Sequence, residues 1–226
     1  MRRILAVMVA AAVLGGAAAG EEIGFGVGGV LVGVLPLDLS ALNVALLAAG
    51  YPVLDGQFVV IGGGGVGGVT GGPVFGGLGF GGSATAIDGE RRSDLDLGFG
   101  GFTVEVARPA AERTLVSVGA ALGGGSLDLT VRARYPVDFT DAIVDPTSTM
   151  LSLGFVGGLG YLRLQIQALD WLWIEGWLGY LLGFPGRWTE GGRELAGPPV
   201  QVRAPFFGVK VSFGGMAETL EEKPAP

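Results

Sequence analysis

Apolar residues alternate with glycine or polar residues along most of the chain between positions 23 and 213. Alternation with a period of two places successive side chains on opposite faces of a β-strand. The pattern is clearest in residues 58–82, where glycine alternates with Val, Ile, Leu or Phe and Thr70 is the one hydroxyl residue. The chain is therefore predicted to form about eight strands of roughly 10 or more residues, which are 23–35, 57–66, 74–86, 95–106, 114–133, 151–168, 171–182 and 200–213.

The alternation changes phase at two glycine runs. Phe25 and Val27 have one parity and Val30 and Val32 have the other, with Gly28 and Gly29 between them. A β-bulge would produce this change, because one extra residue moves every later side chain to the opposite face. The second change follows residues 123–125, so residues 127, 129 and 131 are expected on the same apolar face as residues 116, 118, 120 and 122.

One short segment has the pattern of a helix instead. Ser40 is placed to cap residues 41–49 at their N-terminus, and Gly50 is placed to end the helix, with Pro52 just beyond. Asn43 is its one polar residue. A helix without a polar face is expected to be buried or to lie against lipid.

The lengths of the connections indicate how the strands are arranged. Connections 37–55, 87–94, 135–148 and 184–199 are long or polar, and connections 68–73, 107–112 and 168–171 are short. In a series of hairpins every second turn lies at the same end, so the long loops fall at one end and the short turns at the other. This arrangement predicts an all-β protein, an antiparallel up-and-down β-barrel of about eight glycine-rich strands with one short apolar helix between strands 1 and 2.

Composition excludes several classes of function. Glycine accounts for 45 of 226 residues, the net charge is −7, and the chain contains neither Cys nor His. Thiolate sites, histidine-based catalysis and nucleic-acid binding are therefore not expected. The spacing Gly62-x-Gly64-x-x-Gly67 matches a dinucleotide fingerprint but lacks the helix that must follow it. Asp138, with two more aspartates at 141 and 145, is typical of a solvated loop more than of a calcium site. We predict no enzyme activity, no cofactor and no metal site.

Residues 1–19 have the features of a secretory signal peptide. Arg2 and Arg3 form its basic start, residues 4–14 its apolar segment, and residues 17–19 a small-residue cleavage site. The predicted organisation is a signal peptide at 1–19, a barrel domain at 20–213 and a charged C-terminal tail at 214–226. The mature chain is expected to be exported.

The architecture resembles the small eight-stranded outer-membrane β-barrels of the OmpA/OmpX-like class. The most specific part of the resemblance is the last strand, where Phe207, Val209, Val211 and Phe213 form an aromatic-ended apolar face. The resemblance implies that the lipid bilayer is the partner and that the protein lies in the outer membrane of a diderm bacterium. A periplasmic or secreted location is the alternative.

Within a barrel, the side chains on the polar face of each strand are expected to point into the lumen. Five charged residues fall on that parity: Glu105, Arg132, Arg163, Glu175 and Lys210. They could line a polar conduit, but opposite charges in a narrow barrel are expected mainly to neutralise one another and to close the lumen. Three tryptophans, at positions 171, 173 and 177, share the same predicted inward face and could pack against glycine on the opposite wall.

Three functions are compatible with these features. The first is a non-enzymatic outer-membrane barrel with a role in envelope structure, in adhesion or in small-solute passage. The second is a soluble exported barrel that binds a hydrophobic ligand beneath the helix. The third is a secreted, self-assembling glycine-rich β-protein, because exposed flat apolar strands associate readily.

Overall fold

The computed structural model describes residues 23–134, 136–138, 140 and 148–218. The predicted signal peptide lies outside the described residues, as do Asp141 and Asp145 of the acidic loop and residues 219–226 of the predicted tail. The elements in chain order are β1 Ile23–Pro36, α1 Ser40–Ala48, β2 Gln57–Val69, β3 Pro73–Asp88, β4 Arg91–Ala111, β5 Thr114–Arg132, β6 Ser148–Leu169, β7 Leu172–Glu190, β8 Arg193–Leu195 and β9 Arg203–Glu218.

Eight of these strands form a closed ring. Strands β1 to β7 pair with their neighbours in chain order, and β9 pairs with β7 on one side and with β1 on the other, all antiparallel. The three-residue strand β8 pairs with β7 alone. The predicted up-and-down barrel, with one helix between its first two strands, is confirmed.

The strands of the ring are strongly staggered. A hydrogen-bonded row that starts at Pro73 on β3 reaches Val59 on β2 after almost one circuit. The next residue of β2, Val60, pairs with Gly82 of β3. The row has therefore climbed by about ten residues in one circuit, the kind of stagger that tilts the strands of a closed barrel by about 35–45°.

The two ends of the barrel differ as the connection lengths predicted. Residues 37–56, 133–147 and 191–202 contain the connections of one end, here called the long-loop end, and two-to-three-residue turns close the other, the short-turn end. One connection is shorter than expected, because β3 and β4 continue as a hairpin to a turn at Gly89 and Glu90. Among the described residues, no helix has the length and apolar character needed to cross a membrane.

The last strand also continues further than the sequence pattern indicated. Residues 214–218 were assigned to a charged tail, but they belong to β9 and pair with residues 23–27 of β1. Gly214 adopts a φ of 152°, and a side chain there would overlap the carbonyl oxygen of Gly26. Glycine at this position therefore allows β9 to continue beyond Phe213, the last residue in the pattern of large apolar side chains.

Helix α1 closes the mouth of the barrel at the long-loop end. Leu42 and Leu46 are buried against the interior of the barrel, whereas Val44 and Leu47 are 70% and 69% exposed. Of the two expectations for this helix, burial is met on one face only, and the face that carries Val44 and Leu47 is not covered by the described protein. The predicted cap at Ser40 is also wrong, because the N-cap residue is Leu39 and no side chain caps the helix.

Specific hydrogen bonds fasten α1 to its surroundings. The amide groups of Gly50 and Tyr51 donate to carbonyl groups of the last helical turn at 3.0 and 2.8 Å, the pattern of a Schellman motif, and Gly50 supplies the required positive φ of 76°. The Asn43 side chain both donates to and accepts from the backbone of Leu54, each at 2.9 Å. Arg91, at the tip of the β3–β4 hairpin, donates to the Gly50 carbonyl.

The Asn43 contact gives the first prediction. Asn43→Ala leaves the amide and carbonyl of Leu54 without their side-chain partners. It is expected to destabilise the packing of α1 over the mouth of the barrel by about 1–3 kcal/mol. Hydrogen exchange of the Leu54 amide should accelerate, while exchange of the barrel strands stays unchanged. Faster amide exchange throughout the strands would show that α1 and the barrel unfold together.

The faces of β1 and β5 differ from the sequence prediction. The pairing register of β1 continues without a shift through Gly28 and Gly29, so no bulge is present. Phe25, Val27 and Leu31 all face the interior. Strand β5 likewise has an unbroken register through residues 123–125, and Leu127 and Leu129 are buried instead of outward. Because apolar side chains also fill the interior, both faces of these strands are apolar. Alternation of apolar residues alone therefore does not identify which face points outward.

Glycine on the inner wall is required by close packing between strands. A Cβ atom at Gly76 would overlap the Gly65 carbonyl oxygen and lie 2.8 Å from the Val66 Cα. At Gly98, which faces outward, a Cβ atom would meet nothing within 4 Å. Gly76→Ala is therefore expected to destabilise the barrel by about 1–3 kcal/mol, and Gly98→Ala to stabilise it by about 0.5–1 kcal/mol. Urea unfolding of the two variants checks both signs, and equal effects would contradict this assignment of faces.

Candidate functional site

Four of the five predicted charged residues meet in the lumen. Glu105 on β4, Arg163 on β6, Glu175 on β7 and Lys210 on β9 are each 2% exposed or less. Their strands are consecutive around the ring except for β5, which separates β4 from β6. Cross-strand pairing places Glu175 directly opposite Lys210, so the register of the sheet itself brings opposite charges together.

Arg163 lies at the centre of this group. Its guanidinium donates to Glu105 through one nitrogen and to Glu175 through another, the latter at 3.3 Å. The Nζ atom of Lys210 lies 3.5 Å from Oε1 of Glu175. Two cations therefore neutralise two carboxylates, which is the condition under which buried charges are tolerated.

Aromatic side chains complete the shell around these charges. The Tyr161 hydroxyl donates to Glu105 at 3.0 Å, and the Trp177 indole nitrogen donates to Glu175 at 3.1 Å. The guanidinium of Arg163 lies 5.4 Å from the centre of the Trp177 ring, within the range of a cation–π interaction. Trp177 was predicted on the inward face, but neither Trp177 nor Tyr161 was predicted to join the charge network. The available signal was proximity to Arg163, because Tyr161 lies two residues before it on the same face of β6 and Trp177 is its cross-strand partner on β7.

A smaller polar group extends toward the short-turn end. Ser117 donates to Gln165 at 3.3 Å, and both side chains are fully buried. The Nε1 atom of Trp173 and the Oγ atom of Ser212 have no hydrogen-bond partner among the described protein groups. We call the set formed by Glu105, Arg163, Glu175, Lys210 and these buried polar neighbours the polar layer.

Arg132 does not belong to the polar layer. It is the last residue of β5 and has the outward parity, opposite to the buried Leu127 and Leu129. It pairs across the sheet with Arg92, at the long-loop end. The prediction of an inward Arg132 was wrong because it depended on a phase change at residues 123–125 that the backbone does not make.

Of the three tryptophans that were predicted to face the lumen, two do so and one does not. Trp173 and Trp177 point into the lumen at 0% and 5% exposure, as predicted. Trp171 lies in the turn before β7, is 56% exposed and stacks on Phe213 with ring centres 6.0 Å apart. On the facing wall, glycines occupy the inward positions at the level of the polar layer; they include Gly29 of β1, Gly64 of β2 and Gly76 of β3.

Apolar side chains close the lumen on both sides of the polar layer. The larger cluster fills the long-loop half beneath α1 and includes Leu35, Phe58 and Phe206, all fully buried. The smaller cluster lies at the short-turn end around Phe25 and Trp173. Within the described residues, no group of three or more acidic side chains is placed to hold a metal ion. The polar layer is thus an enclosed structural network, and its geometry does not favour the conduit interpretation.

The outer wall of the barrel is apolar. Its exposed side chains form a belt, and four charged residues of the strands that carry it, Glu105, Arg163, Glu175 and Lys210, are buried in the lumen. Arg108 is exposed on the outer wall opposite Val116, at the edge of the belt nearest the short-turn end. The belt residues are 40–73% exposed and comprise Val30, Val32, Val34, Val59, Ile61, Phe75, Phe102, Val104, Val116, Leu122, Val156, Leu162, Leu164, Ile166, Ile174, Leu178, Tyr180, Phe184, Phe207, Val209, Val211 and Phe213.

Comparison with known proteins assigns this chain to no family. No protein-family model matches the chain, and no curated protein matches it. The chain is similar to the crystal structure of Ail, the attachment invasion locus protein of Yersinia pestis, with a TM-score of 0.43 and 10% identity over 86% of this chain and 98% of that chain. It also matches an acetoacetate decarboxylase-like enzyme from Sphingomonas wittichii RW1, with a TM-score of 0.18 and 15% identity over 89% of this chain and 94% of that chain. Neither likeness carries an argument about function.

Proposed function

We propose that this protein is a non-enzymatic outer-membrane β-barrel that anchors its long-loop end at the cell surface. The observation that carries the proposal is the apolar belt. Large side chains such as Phe184, Phe207 and Leu178 are at least half exposed on the outer wall, while Arg163 and Glu175 are buried. This is the arrangement of a protein whose outer solvent is lipid, because a water-facing barrel needs polar residues on its outer surface.

The soluble ligand-binding alternative is less well supported. It requires an apolar cavity beneath α1, but the space there is filled by buried side chains that include Leu35, Leu54 and Phe58. It would also leave the belt exposed to water, and contiguous apolar patches of that size are rare on soluble monomers. Self-assembly through open strand edges is disfavoured as well, because β1 and β9 pair with each other and close the ring.

Envelope structure or adhesion fits the interior better than solute passage does. The lumen contains a neutralised ion network between two apolar clusters, and no wide polar channel runs through the described side chains. Eight-stranded barrels generally have interiors just wide enough for side chains to fill. The barrel then serves as a membrane anchor, and the long-loop end is the part available to other molecules.

Fractionation with gel electrophoresis tests the proposal. The full chain is expressed in a diderm bacterial host, and its membrane fraction is run on SDS gels with and without boiling. We expect outer-membrane recovery and a mobility shift on heating, because a closed barrel resists SDS until it is heated. Recovery in the soluble periplasmic fraction without a mobility shift would overturn the proposal. It would indicate that the apolar belt packs against protein instead of lipid.

A further inference from the structure

We propose that the exposed face of α1 is a docking surface for a cationic, apolar segment of another protein. The inference deepens the proposed function and rests on it, since it requires the long-loop end to face the exterior. Val44 and Leu47 form the centre of the surface, and Val53 of the following segment, 49% exposed, extends it. We call these three residues the apolar cap.

The apolar cap is held in a fixed shape. Leu42 and Leu46 fix the opposite face of the helix to the interior. The two hydrogen bonds between Asn43 and Leu54 hold the segment that carries Val53 against the helix. A rigid surface loses little conformational entropy when a partner binds, so exposed apolar groups on it are effective binding groups. Asn43 points its polar group toward Leu54, and the hydroxyl of Ser40, the exposed first residue of the helix, donates to Asp38.

Carboxylates surround the apolar cap. Asp38 precedes the helix and Asp55 follows the cap, and both side chains are exposed. Backbone amides hold both of them, since Ser40 donates to Asp38 at 3.0 Å and Gln57 donates to Asp55 at 3.1 Å. Hydrogen bonds from the Ser40 hydroxyl and amide lower the pKa of Asp38, so this carboxylate stays ionised in mildly acidic surroundings.

The β3–β4 hairpin adds two more carboxylates at the other end of the helix. Asp88 and Glu90 are exposed at its tip. The tip adjoins the helix C-terminus because Arg91, which pairs with Asp88, donates to the Gly50 carbonyl. Arg91 also stacks over the Tyr51 ring, with 5.8 Å between its guanidinium carbon and the ring centre. The next residue, Arg92, is neutralised by its ion pair with Asp94. The four carboxylates therefore outnumber the remaining arginine, Arg91, and give the rim of the cap a negative charge.

An apolar centre with an acidic rim fits a partner of complementary character. Apolar side chains of the partner would bury Val44 and Leu47, and its Lys or Arg residues would meet the carboxylates of the rim. An acidic partner would be repelled, and a second copy of this chain would bring two acidic rims together. Charge complementarity thus selects a cationic amphipathic segment as the occupant.

A model peptide tests this directly. The full barrel is reconstituted in phosphatidylcholine nanodiscs and titrated with a fluorescein-labelled helical peptide of leucine and lysine, with fluorescence anisotropy as the readout. A matched peptide of leucine and glutamate is the control. We expect the Leu–Lys peptide to bind and the Leu–Glu peptide not to bind. Val44→Ser with Leu47→Ser should weaken binding about tenfold or more, and Asp38→Asn with Asp55→Asn should weaken it about threefold and reduce its salt dependence.

Three outcomes would overturn the inference. The first is equal binding by the wild type and the Val44→Ser/Leu47→Ser variant, which would place the peptide elsewhere. The second is equal binding of the two peptides. The third is dimerisation of the wild-type barrel in nanodiscs that the same double variant abolishes, which would make a second copy the occupant. Failure of the barrel to enter nanodiscs at all would instead contradict the proposed membrane function.

Discussion

Arg163→Met is expected to lower the free energy of unfolding by about 3–5 kcal/mol. The substitution keeps most of the side-chain volume but removes the cation that bridges Glu105 and Glu175, whose side chains have 0% exposure. Of the two carboxylates, Lys210 pairs with Glu175, and its ammonium also lies 5.9 Å from the centre of the Trp177 ring. One buried carboxylate would therefore lose its neutralising partner.

Reversible urea unfolding in phosphatidylcholine vesicles measures this effect through tryptophan fluorescence. Arg163→Lys is the charge-matched control and should lose less stability, because it retains the cation but not the fork that reaches two carboxylates. The combined variant Glu105→Leu, Arg163→Met, Glu175→Leu and Lys210→Met should recover much of the loss, since apolar replacement of a complete buried network is often neutral or stabilising. An unchanged stability of Arg163→Met would contradict the geometry of the polar layer.

Val104→Arg and Ile166→Arg are each expected to destabilise the membrane-inserted barrel by about 2–4 kcal/mol. The two residues are 41% and 46% exposed on the outer wall, on β4 and β6. With the outer wall in lipid, as proposed, a guanidinium at either position would lie in hydrocarbon instead of in water. The heat-dependent mobility shift and the recovered membrane fraction should both decrease.

Val53→Arg is the matched control for this pair. Val53 is 49% exposed, so the exposed fraction is similar, but it lies in the segment after α1 at the long-loop end. The same chemical change there should leave assembly unchanged. Normal assembly of both belt variants would show that the outer wall does not contact lipid, and a defect in all three variants would indicate a general effect of the added charge.

The sequence predicted the strands and their order better than it predicted their faces. Period-two alternation located every long strand, and the loop lengths placed the two ends of the barrel. The apolar pattern was ambiguous where the interior is also apolar, as for Leu127 and Leu129. Register through Gly28 and Gly29 depends on pairing with two neighbouring strands, and a single sequence does not show that pairing.

The polar layer was predictable to the extent that strand parity was correct. Glu105, Arg163, Glu175 and Lys210 lie on strands without a false phase change, and the structure brings all four together. The prediction for Arg132 was wrong because a phase change was assigned to its strand, β5, that the backbone does not make. Which carboxylate each cation contacts could not be predicted, because it depends on the stagger of the ring.

The seam between β1 and β9 has a consequence for biogenesis. It pairs Gly24 with Ala217 and Val34 with Phe207, so the barrel closes only when nearly the whole chain is available. Contacts between such distant segments form slowly, and until they form, both terminal strands present unpaired edges that can associate with other chains. The proposed outer-membrane location therefore requires delivery of an unclosed chain, and a chaperone that covers its ends during transit would raise the yield of closed barrel more than one that binds the middle hairpins.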